Sequence, residues 1–133
     1  MKMEIDGNSY VIAGALDGFA QLRMARKLAP ASHVVEGLLK TENLEKERNL
    51  LMVLMLSNIS ERDSEEVIKS CLSIVHRVED GGTAPIMKNG VLMYDDLTLA
   101  AMLEIALVVI NEYLGDFFRT ALDNLKVAAK QSS

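Results

Sequence analysis

Between Leu97 and Phe118 the chain reads Leu-Thr-Leu-Ala-Ala-Met-Leu-Glu-Ile-Ala-Leu-Val-Val-Ile-Asn-Glu-Tyr-Leu-Gly-Asp-Phe-Phe, with apolar side chains at nearly every helical turn. Glu104, Asn111, Glu112 and Asp116 form only a narrow polar stripe on a helix about 30 Å long. A helix of this kind is expected to be the spine of a core, or to be covered in part by another chain. Self-association or contact with another chain is expected at its edges.

Shorter elements precede it. Met3–Ile5 and Ser9–Ala13 flank Asp6-Gly7-Asn8, which tolerates the positive φ of a hairpin turn, so a hairpin is predicted over 3–13. Asp17 is a candidate N-cap for a helix over 18–29 that Pro30 stops. Ser32 can open a second helix over 32–40, with Val34, Val35, Leu38 and Leu39 on its apolar side. Glu45 and Glu47 suit the first turn of a third over 44–58. Ser60 or Asp63 can cap a fourth over 61–77, where Val67, Ile68, Cys71, Leu72 and Val75 recur at helical spacing. Asp80-Gly81-Gly82-Thr83-Ala84-Pro85 breaks the pattern. Asn89-Gly90 then predicts a second hairpin over 86–94. The final helix is expected over 98–130, with Gly115 a candidate break. The expected fold is mainly α: a single-domain bundle of about five helices over 1–133, with two small hairpins.

Half of the residues are hydrophobic, aromatic residues make up 5%, and tryptophan is absent, so the core must be aliphatic. Eight methionines add side chains that adapt to irregular apolar surfaces. The net charge of −5 argues against a nucleic-acid partner, which needs clustered Lys and Arg. Arg23, Arg26 and Lys27 are the one compact basic group. The start of the chain has no continuous apolar stretch of the signal-peptide kind, and no apolar run reaches bilayer length. Cys71 is alone, which fits a reducing compartment, and a cytoplasmic location is expected.

Candidate chemistry is sparse. His33–Glu36 and His76–Glu79 would each share a helical face, but they reverse the Glu-x-x-His order of bundle di-iron sites and lack further ligands. Glu65-Glu66 and Asp95-Asp96 do not alternate as calcium ligands do and read as capping or first-turn acids. Glu104 stands in apolar surroundings that would suit an acid–base role, yet it also fits the helix's polar stripe. Cys71 has only Lys69 nearby and reads as a buried hydrophobe. Gly7, Gly14 and Gly18 do not have the spacing of a phosphate-binding loop. No cofactor, metal or enzymatic activity is expected.

Ile5-Asp-Gly-Asn-Ser-Tyr-Val-Ile12 and Leu16-Asp-Gly-Phe-Ala-Gln-Leu-Arg-Met-Ala-Arg-Lys-Leu-Ala-Pro30 resemble the amino-terminal signature of small tail assembly chaperones of tailed bacteriophages and prophages. Tyr94-Asp-Asp-Leu-Thr-Leu followed by the apolar helix to Phe118 is similar to their carboxy-terminal half. The resemblance implies a noncatalytic helical protein of the bacterial host cytoplasm, absent from the mature virion. It further implies binding of the apolar, helical tape-measure protein, with the tail-tube protein a second candidate partner. A long helical client would be held by helix-in-groove contacts, for which Met52, Met55, Leu56, Met93 and Met102 are the candidate residues. The alternative is a small helical homo-oligomeric adaptor or regulator with no phage role.

Overall fold

The computed structural model describes residues 2–34 and 45–131. Strand β1 (Lys2–Ile5) and strand β2 (Asn8–Ile12) form the amino-terminal hairpin, with Asp6 and Gly7 both at positive φ in the two-residue turn. Helix α1 (Gly18–Leu28) follows; its N-cap Asp17 accepts a hydrogen bond from the Ala20 amide at 2.8 Å. Pro30 lies in a single 3-10 turn, Ala29–Ala31, after which residues 32–34 are helical. The rest of the helix expected over 32–40 lies outside the described residues.

Helix α2 (Glu45–Ser57) and helix α3 (Glu61–Leu72) are joined by a short turn in which Ser60 caps α3, its hydroxyl accepting from the Asp63 amide at 3.0 Å. The helix expected to reach residue 77 ends at Leu72 instead. The Ile74 carbonyl accepts from the amides of Ala13 and Gly14, at 2.8 and 3.0 Å, and draws the chain against β2. Val75–Glu79 becomes strand β3, which pairs antiparallel with β2 in the register Ile12 to Val75, Val11 to His76 and Tyr10 to Arg77. Asp80 and Gly81 then turn the chain into strand β4 (Gly82–Pro85). The segment expected to be a breaker is thus the turn and outer strand of a sheet ordered β1-β2-β3-β4. Pro85 is tolerated because β4 is an edge strand.

Strand β5 (Met87–Lys88) and strand β6 (Val91–Leu92) form a separate hairpin about Asn89 and Gly90, both at positive φ. Helix α4 (Leu99–Gln131) continues through Gly115 without a break. The described residues therefore comprise four α-helices and a four-stranded antiparallel sheet: mainly helical, with a sheet that the expected bundle of about five helices and two small hairpins matches only loosely.

Met3, Tyr10, Val75 and Arg77 share the buried face of the sheet, as the register requires, and the apolar ones join a core with Met24, Leu28, Val67, Leu72 and Ile86. Helix α4 runs through this core. Ala101, Ile105 and Val109 on one side and Leu103, Ala106 and Ile110 on the other are all buried and cover more than half of the helix circumference, while Glu104, Leu107 and Val108 form a half-buried strip along the rest. Phe118 is the last apolar residue of α4 in the core among those described; the helix continues for 13 more residues.

Candidate functional site

Helix α2 carries more apolar surface than the core uses. Met52 and Met55 point inward and are fully buried, and Leu51 and Leu56 are half-buried against the same core. Leu50, Val53 and Leu54 are 60%, 43% and 45% exposed, and their i, i+3, i+4 spacing makes one outward stripe. The last turn is pinned, with the Ser57 hydroxyl donating to the Val53 carbonyl and the Asn58 side-chain amide to that of Leu54, both at 2.7 Å. A regular helix thus presents three branched aliphatic side chains to the exterior.

This placement corrects two of the sequence candidates. Met52 and Met55 are core residues: three apart, they both face the space filled by α3 and α4 and are not available to a partner. Leu56 is half-buried beside them. Met93 is exposed just after β6, and Met102 is half-buried on α4. Met102 lines a groove of about 690 Å³ between α3 and the β5–β6 hairpin, together with Ile68, Met87, Val91 and Leu92. Glu61, Glu65 and Lys69 edge the groove, and the last two form an ion pair at 2.8 Å. The predicted set is therefore split between the core, the groove and its approach. Leu50, Val53 and Leu54 were missed. Their signal was the unbroken apolar run Leu50–Leu56, which covers every side of a helix and so must send some residues outward.

The best-formed polar cluster sits where the sheet meets the loop before α4. Arg77, almost wholly buried, donates two hydrogen bonds of 2.8 Å to the two carboxylate oxygens of Asp96. Its guanidinium stacks 4.4 Å from the centroid of the Tyr94 ring and lies 5.9 Å from that of Tyr10. The Tyr94 hydroxyl donates to Glu79. The Arg77 hydrogen bonds hold the Asp96 carboxyl below the usual carboxylate range; the bond to Glu79 raises Tyr94, and burial raises Tyr10. Arg77 thus ties β3 to Asp96, and Tyr94 ties back to Glu79, so the cluster acts as a clasp that fixes the loop before α4 against the sheet.

A second tie joins α1 to α3. Lys27 meets Glu66 at 2.8 Å and Arg62 meets the same carboxylate at 3.2 Å, with the Lys27 bond the larger cause of Glu66's lowered pKa. Both carboxylates titrate lower in the folded state than in the unfolded one. The stability they contribute is present above the ordinary carboxylate range and is lost as pH falls below about 4. The urea midpoint is expected to fall below that pH. Asp96→Asn should lower the neutral-pH midpoint and make the acid limb shallower; an acid limb identical to wild type would remove Asp96 from the account.

The remaining sequence candidates are dispersed. His76 lies on the outer face of the sheet with Nδ1 3.0 Å from the Thr83 hydroxyl, whereas Glu79 is on the opposite face with Tyr94. The pair would share a face on a helix, but β3 separates it. His33 is exposed, and Glu36 lies outside the described residues. Glu104 is half-buried on α4, and Glu65 and Glu66 pair with different cations. Cys71 is fully buried. No cluster of three or more potential metal ligands occurs among the described residues, and none of the described helices is long and apolar enough to cross a membrane.

Comparison with known proteins gives one result. Neither the curated proteins nor the solved structures contain a match to the chain. A family model described as phage tail assembly chaperone protein matches residues 6–126, which takes in, in whole or in part, every strand and helix given above except β1. A match over residues 6–126 of 133 shows that this chain belongs to the phage tail assembly chaperone family.

Proposed function

We propose that this chaperone is noncatalytic and binds the apolar, helical tape-measure protein in the host cytoplasm, keeping it soluble until the tail tube encloses it. The observation that carries this reading is the outward stripe of Leu50, Val53 and Leu54. Exposed apolar side chains at helical spacing on a pinned helix suit the apolar face of a client helix, which meets its partner through i, i+3, i+4 anchors. The groove holding Met102 offers a second apolar contact, and its methionines adapt to more than one client sequence. Tail-tube subunits are the second client, recruited once the tape-measure protein is held. Membership of a tail assembly chaperone family sets aside the alternative of an adaptor with no phage role.

Co-expression with the tape-measure protein tests this. The wild-type chain is expected to carry the client into the soluble fraction as a complex on size exclusion. Leu50→Gln, Val53→Gln and Leu54→Gln combined preserve helix-compatible side chains and an intact core, and should cut the recovered complex about tenfold or more. A client equally soluble without the chaperone ends the proposal; undiminished recovery with the triple variant ends the assignment to α2.

A further inference from the structure

Strand β6 has an open outer edge. The Met93 amide donates to the Ile86 carbonyl at 2.9 Å, which makes Ile86 and Met93 a hydrogen-bonded pair; the next pair along the antiparallel ladder, Met87 and Leu92, is then a non-hydrogen-bonded one. The Leu92 amide and carbonyl therefore point away from β5, and neither has a hydrogen-bond partner among the described residues. The groove of about 690 Å³ runs along this edge: Val91 and Leu92 are strand neighbours with side chains on opposite faces, yet both line it, together with Gly90. Its opposite wall is α3, where Glu61, Glu65, Ile68 and Lys69 fall within about 100° of helix circumference. The edges of the large sheet are guarded, by exposed Lys2 and Glu4 on β1 and by Pro85 on β4.

We propose that an extended segment of a client chain adds to β6 as a third, antiparallel strand, lying in the groove between the hairpin and α3. Backbone hydrogen bonds to Leu92 anchor such a segment while the groove reads its alternate side chains, the division of roles in strand addition. From Glu61 to Lys69 α3 spans about 12 Å, the length of about four extended residues. The residue opposite Leu92 shares a face with Leu92 and Met87, which pack on the core, so it is apolar and meets Ile68 and Met102. On a segment running along α3, the next residue of that face lies about 6.6 Å further, between Glu65 and Glu61, which are about 4.5 and 10.5 Å from Ile68 along the helix axis. Two carboxylates, Glu61 and Glu65, and one ammonium, Lys69, leave this rim one net negative charge, and Lys69 is already paired with Glu65 at 2.8 Å. That next residue is therefore Lys or Arg. A basic and an apolar residue two apart in an extended chain is a different chemistry from the apolar helix offered to α2, so one chaperone can hold both. The proposal rests on the client-binding reading but not on the α2 stripe.

A labelled Thr-Lys-Thr-Leu-Thr-Leu peptide with blocked ends tests it, by fluorescence anisotropy and by hydrogen exchange on the full chain. Saturable binding with a Kd of about 100 μM or tighter and slowed exchange at the Leu92 amide are expected. Methylating the amide nitrogen of the first peptide leucine removes the donor to the Leu92 carbonyl and should weaken binding about tenfold. Glu61→Lys should weaken this peptide about threefold or more and favour one with Glu in place of its Lys, with circular dichroism confirming the fold. No saturable binding, a methylated peptide that binds as well as its parent, or a charge preference that Glu61→Lys leaves unchanged overturns the proposal. Leu92 exchange that slows with protein concentration alone assigns the edge to a second copy of the chain and likewise overturns it. Failure of the peptide beside a soluble tape-measure complex overturns the strand site alone, whereas bound peptide beside a client equally soluble without the chaperone ends the client reading alone.

Discussion

Ile105→Ala is expected to destabilise the fold by about 3–4 kcal/mol, within the range for emptying a fully buried branched site. Ile105 lies on the buried side of α4, with Ala101 and Val109 buried one turn away on either side. A fully buried site flanked by buried neighbours collapses only in part, so most of the cavity should persist. In a domain of this size the melting temperature should fall by about 10 °C or more. The same truncation at exposed Leu99, on the same helix, should change stability by less than about 0.5 kcal/mol. Thermal or urea unfolding of both variants checks the contrast. Equal losses at the two positions would mean that Ile105 is not on the buried side of α4.

The second large effect is alkaline. Cys71 is fully buried, and burial pushes its thiol well above the ordinary range because the thiolate would lose its water. Below about pH 8.5 both folded and unfolded thiols keep their protons, and the contribution is fully present. As pH rises further the unfolded chain ionises first, and stability should fall by up to about 1.4 kcal/mol per pH unit, or about 2 kcal/mol by pH 10. Tyr10, raised by burial, and Tyr94, raised by its bond to Glu79, steepen the decline above about pH 10. Cys71→Ala should start lower at neutral pH and remain flatter up to that point. Urea midpoints from neutral to alkaline pH distinguish the cases, and parallel curves for wild type and variant would exclude the thiol.

The elements readable from sequence were those whose signals are local. Asp6-Gly7 and Asn89-Gly90 announce their hairpins because two consecutive positive φ values suit very few residue pairs. Asp17 and Ser60 announce their helices because a side-chain oxygen must satisfy an amide at the start. Strands β3 and β4 were not readable. Val75 falls at helical spacing from Cys71 and Leu72 and equally begins a strand-like alternation, and only its pairing with Ile12 decides between the two. Gly115 stays helical because a long helix is propagated from both sides, which outweighs the roughly 1 kcal/mol preference against one glycine. For the partner surface, residue type was a poor guide to direction. Methionine suggested a binding face at 52 and 55, whereas the helix turns those two inward and sends Leu50, Val53 and Leu54 outward. The Arg77–Asp96 clasp had no sequence signal, since its partners come from a strand and a loop that only the tertiary fold brings together.

The pairing of Ile12 with Val75 also orders the events of folding. The β1–β2, β3–β4 and β5–β6 hairpins are local and can close within microseconds, but joining β2 to β3 closes a loop of about 60 residues that contains α1, α2 and α3. The sheet therefore becomes continuous only after the helices between its halves have condensed, and until then β2 and β3 each offer an open edge to other chains. For a protein whose family assists the assembly of others, the interval of greatest aggregation risk is its own late sheet closure.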